Sequence, residues 1–319
     1  MTPAVACLGE TMVSFIPADG SGLDDTGRLG LDIAGAESNV AVYLADHGVD
    51  ARWVSRVGDD AFGRRVLERV RAAGVDVSGV RTDPARPTGL LFKDPARGAG
   101  GGTRVSYYRH GSAASAMGPY VLDEKAMRTA DVWHFTGITP ALSASCRHLV
   151  EAALTGGGTG RPTVSFDVNH RPAVWREAPG DLLRRLAQAA DIVFVGLDEA
   201  QALWGDGVRE PEDVRALLSS PRILVVKDAE NAATAYFGQT RTCVPSLTVE
   251  VVEPVGAGDA FAAGFLAGLL RGENAERCLR LGHLTAVSAL TVTGDHGPLP
   301  APEEIDRLLG LPAEAWPAG

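Results

Sequence analysis

Seven residues late in the chain, Glu253-Pro254-Val255-Gly256-Ala257-Gly258-Asp259, join a glycine turn to a carboxylate, and the following Ala260 to Leu270 is apolar or glycine throughout. A helix that is apolar all round is buried, so this segment is expected to drive into the core. The glycines allow a tight turn, and the unpaired N–H groups of the first helical turn then converge on whatever lies in front of them. Such a helix start is an anion site. A carboxylate there repels a bound anion unless it has a task of its own. Accepting a hydroxyl proton while the backbone N–H groups hold a developing phosphoryl charge is such a task. Asp259 is therefore the expected base, with Gly256, Ala257 and Gly258 forming the anion turn. The plainer alternative is a helix N-cap aspartate. The paired glycines, the buried helix and the strand-like Val249 to Val252 ahead of it weigh against that.

Other chemistries lack their residues. The three lysines, Lys93, Lys125 and Lys227, follow Phe92, Glu124 and Val226, so there is no Gly-Lys-Ser/Thr phosphate loop. A dinucleotide fingerprint needs a third glycine where Phe261 stands, and a place in an early βαβ unit. The seven histidines form no HExxH pair, and no Gly-x-Ser-x-Gly elbow occurs. His134, in an apolar run, is expected to be a core residue. Cys7, Cys146, Cys243 and Cys278 show no CxxC spacing and are expected in the core of a protein from a reducing, cytoplasmic setting. A net charge of -10 disfavours a nucleic-acid partner. No run approaches a membrane span, and the first residues show no basic stretch ahead of an apolar core and cleavage site, so secretion is not expected.

The elements that must position Asp259 follow from the apolar pattern. Near-continuous apolar runs at 4–8, 51–57, 132–135, 163–166, 192–195 and 223–226 alternate with helical patterns at 38–46, 62–73, 180–190, 260–271, 275–290 and 303–309. Strands apolar on both faces are covered on both sides, which predicts an α/β/α sandwich around a mostly parallel sheet, within one domain over 1–319. Two stretches, 12–33 and 89–108, alternate polar and apolar residues and suit a small sheet with one wet face, read as a lid with a glycine-rich hinge at 97–103. The glycines of 155–161 read as a surface turn.

Gly256-Ala257-Gly258-Asp259-Ala260-Phe261 resembles the C-terminal signature of the ribokinase-like (PfkB-type) sugar kinases. Gly35-Ala36-Glu37-Ser38-Asn39-Val40-Ala41 resembles their N-terminal substrate motif, and Val57-Gly58-Asp59-Asp60-Ala61-Phe62-Gly63 their next turn. The resemblance runs nearly end to end. It implies a β lid, ATP as donor, Mg²⁺, and Asp259 as base. A finer resemblance, to 2-keto-3-deoxygluconate kinases, runs through Tyr107-Tyr108-Arg109-His110-Gly111-Ser112-Ala113, Gly137-Ile138-Thr139-Pro140-Ala141-Leu142, Asp167-Val168-Asn169-His170-Arg171-Pro172 and Gly294-Asp295-His296. It implies a sugar acid phosphorylated at its terminal hydroxyl, most specifically 2-keto-3-deoxygluconate to its 6-phosphate.

On that resemblance Gly35, Asn39, Tyr107 and Ile138 meet the acceptor, while Arg109 from the lid and Arg171 from below a strand end hold its carboxylate by charge-assisted donors. The plainer alternatives are a solvated Arg109 on a lid edge and an Arg171 salt bridge to Asp167. Asn169, Glu199 and Lys227 are expected on the ATP side, with Mg²⁺ held through water to Glu199. That side departs from the family pattern: Gly196 replaces an asparagine, and Ala229 and Ala232 replace loop glycines, alanine being penalised wherever φ is positive. Ala34 replaces a glycine ahead of Gly35, and Glu253 replaces an aspartate. A kinase for a neutral ketose or a nucleoside is the alternative within enzymes; a sugar sensor of the same fold is the alternative outside them. A lid with one exposed face invites pairing into a homo-oligomer.

Overall fold

The computed structural model describes residues 3–95, 103–156 and 160–318. Among them the strands are β1 (Ala4–Leu8), β2 (Met12–Pro17), β3 (Leu29–Ala34), β4 (Asp50–Gly58), β5 (Val80–Asp83), β6 (Leu90–Asp94), β7 (Arg104–Tyr108), β8 (Val132–Thr136), β9 (Thr163–Asp167), β10 (Ile192–Gly196), β11 (Ile223–Asp228), β12 (Ala232–Phe237) and β13 (Thr240–Pro245). The α-helices are α1 (Ala36–Asp46), α2 (Ala61–Ala72), α3 (Lys125–Arg128), α4 (Ala144–Thr155), α5 (Gly180–Ala189), α6 (Leu197–Trp204), α7 (Pro211–Leu217), α8 (Ala257–Leu270), α9 (Ala275–Leu290) and α10 (Pro302–Leu309).

Nine strands form one sheet in the order β13-β12-β11-β10-β9-β8-β1-β4-β5. The run from β11 to β5 is parallel and only the β12 and β13 edge is antiparallel. Strand β10 shows why both faces are covered. Ile192 and Phe194 join the core shared with α1, α8 and α9, whereas Val193 and Val195 join the core shared with α4 and α5. Helix α8 is buried from Asp259 to Gly268 and packs along α9 and α1, as an all-apolar helix must.

The second sheet, β3-β2-β6-β7, is the lid. Met12, Ala34 and Leu91 pack on its inner face with Val105 and Tyr107. On its outer face Phe92 stacks on Phe15 and meets Tyr108, which is 67% exposed.

Several sequence expectations need correcting. Val249 to Val252 lies in no strand, and both Val251 and Val252 are exposed. Cys243 is exposed on an edge strand, unlike the other three cysteines. Strands β12 and β13 were not foreseen: β12 reads Ala-Ala-Thr-Ala-Tyr-Phe, too poor in β-branched residues to signal a strand, and is held by pairing to β11. The expectation for His134 holds: it is buried, bonds Ser165 Oγ at 3.0 Å, and burial pushes its pKa down to about 4, the state of a neutral core residue. Positions 97–102 of the expected hinge, and 157–159 of the expected surface turn, lie outside the described residues.

Candidate active site

The carboxyl ends of parallel strands β1, β8, β9, β10 and β11 open toward the lid, the place where open α/β sheets bind ligands. Helix α8 points its N-terminus there. Gly256 is its N-cap, with φ of 91°, and a Cβ would meet the Asp295 carbonyl oxygen at 3.0 Å, so both backbone and space demand glycine. The helix starts at Ala257, three residues earlier than the apolar pattern implies, and Asp259 sits inside its first turn without capping it. The N-cap alternative is thereby excluded.

Each Asp259 oxygen accepts one amide hydrogen bond. Asn39 Nδ2 donates to Oδ2 at 3.0 Å, and Asn169 Nδ2 to Oδ1 at 3.0 Å. Burial pushes the Asp259 carboxyl up to about 7; the Asn39 hydrogen bond and the Arg171 charge oppose the rise, while Asp167 and Asp295 add to it. A carboxyl so tuned is half ionised near neutrality, where a general base is most effective. Asn169 stands at φ 37°, a left-handed backbone that asparagine tolerates, and its Oδ1 is buried without a hydrogen-bond partner.

A cavity of about 70 Å³ lies between Asp259 and the lid, lined by Gly35, Asn39, Tyr107, Arg109, Ile138, Arg171 and Asp295, among others. Gly35, the N-cap of α1, is packed so closely that a Cβ would stand 2.5 Å from the Glu10 carbonyl oxygen. Two buried ion pairs bridge lid and body across the cavity. Lys93 Nζ on β6 lies 2.7 Å from Asp295 Oδ1, and Arg109 Nε, just after β7, lies 2.6 Å from Glu10 Oε2. Thr103 Oγ1 adds a hydrogen bond to Glu253 at 2.9 Å. The lid is thus shut, and the cavity is well below the few hundred Å³ typical of small-molecule sites. A wider cleft of about 800 Å³ shares Tyr107 and Arg109, but Asp259 is not among its lining residues.

On the other side of Asp259, Lys227 Nζ reaches Asp167 Oδ2 at 2.9 Å and lies 3.4 Å from where a Gly258 Cβ would be. Burial works against the Lys227 ammonium, but Asp167 and Glu199 outweigh it and raise its pKa. Glu199, whose carboxyl burial raises, accepts the N–H of Gly196 at 2.9 Å and of His170 at 3.0 Å, capping α6. In the turn after β11, Ala229 holds φ of 41°. The left-handed bend is retained although glycine is absent, at a cost of roughly 1–2 kcal/mol. Ala232 is an ordinary strand residue, paired with Asp228.

The sequence pattern of the pfkB family of carbohydrate kinases matches residues 2–302. The chain belongs to this family. It is 35% identical over 311 residues to a 2-dehydro-3-deoxygluconokinase of Thermoproteus tenax, covering 96% of this chain and 94% of that one. It is 30% identical to a probable fructokinase-7 of Arabidopsis thaliana, over 96% of this chain and 92% of that one. The crystal structure of a PfkB protein from Polaromonas sp. JS666 superposes with a TM-score of 0.83 at 30% identity, covering 96% of this chain and 99% of that one. The protein is a sugar kinase of this family, with the ribokinase-like sandwich and lid.

Of the residues expected at a sugar-kinase site, Gly35, Asn39, Tyr107, Arg109, Ile138, Asn169, Arg171, Gly256 and Asp259 line one cavity. Neither plainer alternative for the two arginines holds. Arg109 is a buried partner of Glu10 and not a solvated lid arginine, while Arg171 stands 4.0 Å from Glu199, half exposed, because Lys227 already holds Asp167. Asn169, expected with the nucleotide, donates to Asp259. Glu10, Lys93, Asp167 and Asp295 were missed as site residues. Asp167 and Asp295 lay inside resembling motifs, but Glu10 and Lys93 gave no signal beyond being charges in apolar surroundings. Glu37 was missed as well. It is buried beneath the cavity and accepts both the Thr136 and Thr139 hydroxyls, tying α1 to the end of β8.

Proposed function

We propose that this kinase phosphorylates the terminal hydroxyl of a sugar acid with ATP, 2-keto-3-deoxygluconate being the first candidate. The observation that carries the reading is Asp259: a buried carboxyl with a pKa of about 7, at the start of α8, facing a cavity with Arg109 and Arg171 on its walls. The acceptor hydroxyl gives its proton to Asp259 as its oxygen bonds to the γ-phosphorus. The bond from phosphorus to the bridging oxygen breaks and ADP leaves. Asn39 and Asn169 hold the carboxylate in line, and the free N–H groups at the α8 start take up charge developing on the phosphoryl oxygens. Lys227, close to Gly258, serves the phosphates as a cation fixed by Asp167.

Arg171, half exposed and only 4.0 Å from Glu199, is the freer guanidinium for the acceptor carboxylate, with Arg109 offering the nitrogens that Glu10 leaves. Tyr107, Ile138 and Gly35 shape the remaining wall. Glu199 suits the oxygen preference of Mg²⁺, reached through water. When bound, the ion neutralises phosphate charge.

A neutral ketose is the second reading. It is favoured by the Arabidopsis fructokinase similarity and by Glu10, which already neutralises Arg109. Whichever acceptor is used, the proposal includes pairing of two copies through the outer lid face, where Leu31 and Tyr108 are exposed, and light scattering tests it. An ADP-release assay over 2-keto-3-deoxygluconate, its galactonate-derived isomer, fructose, ribose and adenosine separates the acceptors. The proposal expects the sugar acids to exceed the neutral substrates in kcat/KM. Faster turnover of fructose overturns it in favour of the second reading.

A further inference from the structure

Lys93 is a lysine on the inner side of a lid strand, 2% exposed, and it is spent entirely inside the protein. Its Nζ lies 2.7 Å from Asp295 Oδ1. The other Asp295 oxygen accepts from Asn39 Nδ2 at 3.2 Å, and the same Asn39 nitrogen donates to Asp259 at 3.0 Å. One amide thus stands between two carboxylates, the base and its neighbour, and a lid cation balances the neighbour. We infer that Lys93 is a positioning residue for the reaction: carried on the lid, it neutralises Asp295 and so fixes the charge against which Asp259 must take its proton. This rests on Asp259 being the base and not on which sugar is the acceptor.

The alternatives for Lys93 are weaker. A solubilising surface role is excluded by burial. A purely structural lid latch accounts for the 2.7 Å pair but gives no reason for the pair to share an amide with the base. The remaining charges facing Asp259 come from the body: Lys227 with Asp167 from β11 and β9, Arg171 beside Glu199 from the segment after β9 and from α6, and the Tyr43 hydroxyl from α1. Arg109 and Glu10 line the same cavity but neutralise one another. Among these described groups Lys93 is the cation that both belongs to the lid and faces the neighbour of the base, so closing the lid and balancing Asp295 are one event.

The sign follows from electrostatics. Without Lys93, the Asp295 charge is uncompensated in a low-dielectric site and disfavours a second negative charge on Asp259. The acidic limb of kcat then moves to higher pH. The experiment compares pH–kcat profiles of wild type, Lys93→Met, Lys93→Arg, Asp295→Asn and the double variant Lys93→Met/Asp295→Asn. The substrates are ATP and 2-keto-3-deoxygluconate, or fructose if only that sugar is turned over. The phosphates of ATP titrate nearby but equally for every enzyme, so the difference between variants is the readout.

Lys93→Met is expected to raise the limb by half a pH unit or more, about a threefold loss on the acid side relative to its own plateau. Lys93→Arg and the double variant are expected to return toward wild type, and Asp295→Asn, which leaves the cation unbalanced, to lower the limb. Coincident limbs in all variants overturn the inference, since a latch alone changes rate or KM without moving a titration. If Lys93→Met does not fold, an unmoved limb in Asp295→Asn overturns it equally. An Asp259→Asn control that keeps wild-type turnover overturns the base assignment and this inference with it, whereas inactivity on the sugar acid with turnover of fructose counts against the acceptor reading alone.

Discussion

The two sides of Asp259 are charged in different ways. On the side proposed for the phosphates, the pairs are made within the main body: Lys227 with Asp167 between β11 and β9, and Glu199 with the N–H groups of Gly196 and His170. On the side proposed for the acceptor, the pairs cross from lid to body: Lys93 with Asp295, Arg109 with Glu10, and Thr103 with Glu253. The first set involves no lid residue. The second set forms only when the lid shuts. On the proposed assignment, the donor side is built within the body, and the acceptor side depends on contacts between lid and body.

The largest expected effect tests the group between the two sides. Asp259→Asn should keep the fold, seen as an unchanged circular dichroism spectrum, and lower kcat by roughly 10²- to 10⁴-fold. A loss under tenfold in a steady-state assay removes it as the base.

Next comes the contrast itself. Lys227→Met strands Asp167 in a part of the body that cannot open, and should cost about 3–5 kcal/mol in urea denaturation. Arg109→Met strands Glu10 as well, but the lid can lift and hydrate it, so the global loss should be smaller. Equal losses at the two positions would break the comparison. Arg171→Ala sharpens it on the acceptor side. Loss of a charge-assisted contact of roughly 1.5–3 kcal/mol should raise KM for a sugar acid by about 10- to 150-fold, with little change for fructose. Equal losses on both sugars remove its carboxylate role.

The pH dependence of stability is the next smaller effect. A carboxyl whose folded pKa is raised from 3.8 to about 7 holds a proton in the folded state that it has lost in the unfolded state, so its contribution is present below pH 4 and is lost as pH rises toward 7. Whatever the packing cost of Asp259→Ala, its stability relative to wild type should improve between pH 4 and 7, by at most about 1.4 kcal/mol per unit. A difference that is flat with pH, measured by urea titration at several pH values, contradicts the raised pKa. The smallest effect is Ala229→Gly, which relieves a left-handed alanine and should stabilise by about 1 kcal/mol. A lower Tm would mean that the turn is not strained.

Much of the frame was legible in the sequence because each strand and helix writes its own period. The six apolar runs all became strands of the main sheet, and the alternating stretches became the lid. The legible part of the site was what lies in contiguous motifs, the glycine turn before α8 and the Asn39 helix start. Glu10 and Lys93 were not legible, because each gains meaning only from a partner 99 or 202 positions away. The failure of the alternative Arg171 bridge to Asp167 was not legible for the same reason, since Lys227, 60 positions beyond Asp167, takes the place at that carboxylate.

The sequence alone determined that a glycine turn precedes a buried helix carrying Asp259, since turn chemistry and apolarity act over a few residues. Only the tertiary structure decided that this carboxyl is held by Asn39 and Asn169 and loses its proton near neutrality. That state comes from burial and from charges brought together by the sheet and the lid, and electrostatic energy depends on distance in space and not on distance along the chain.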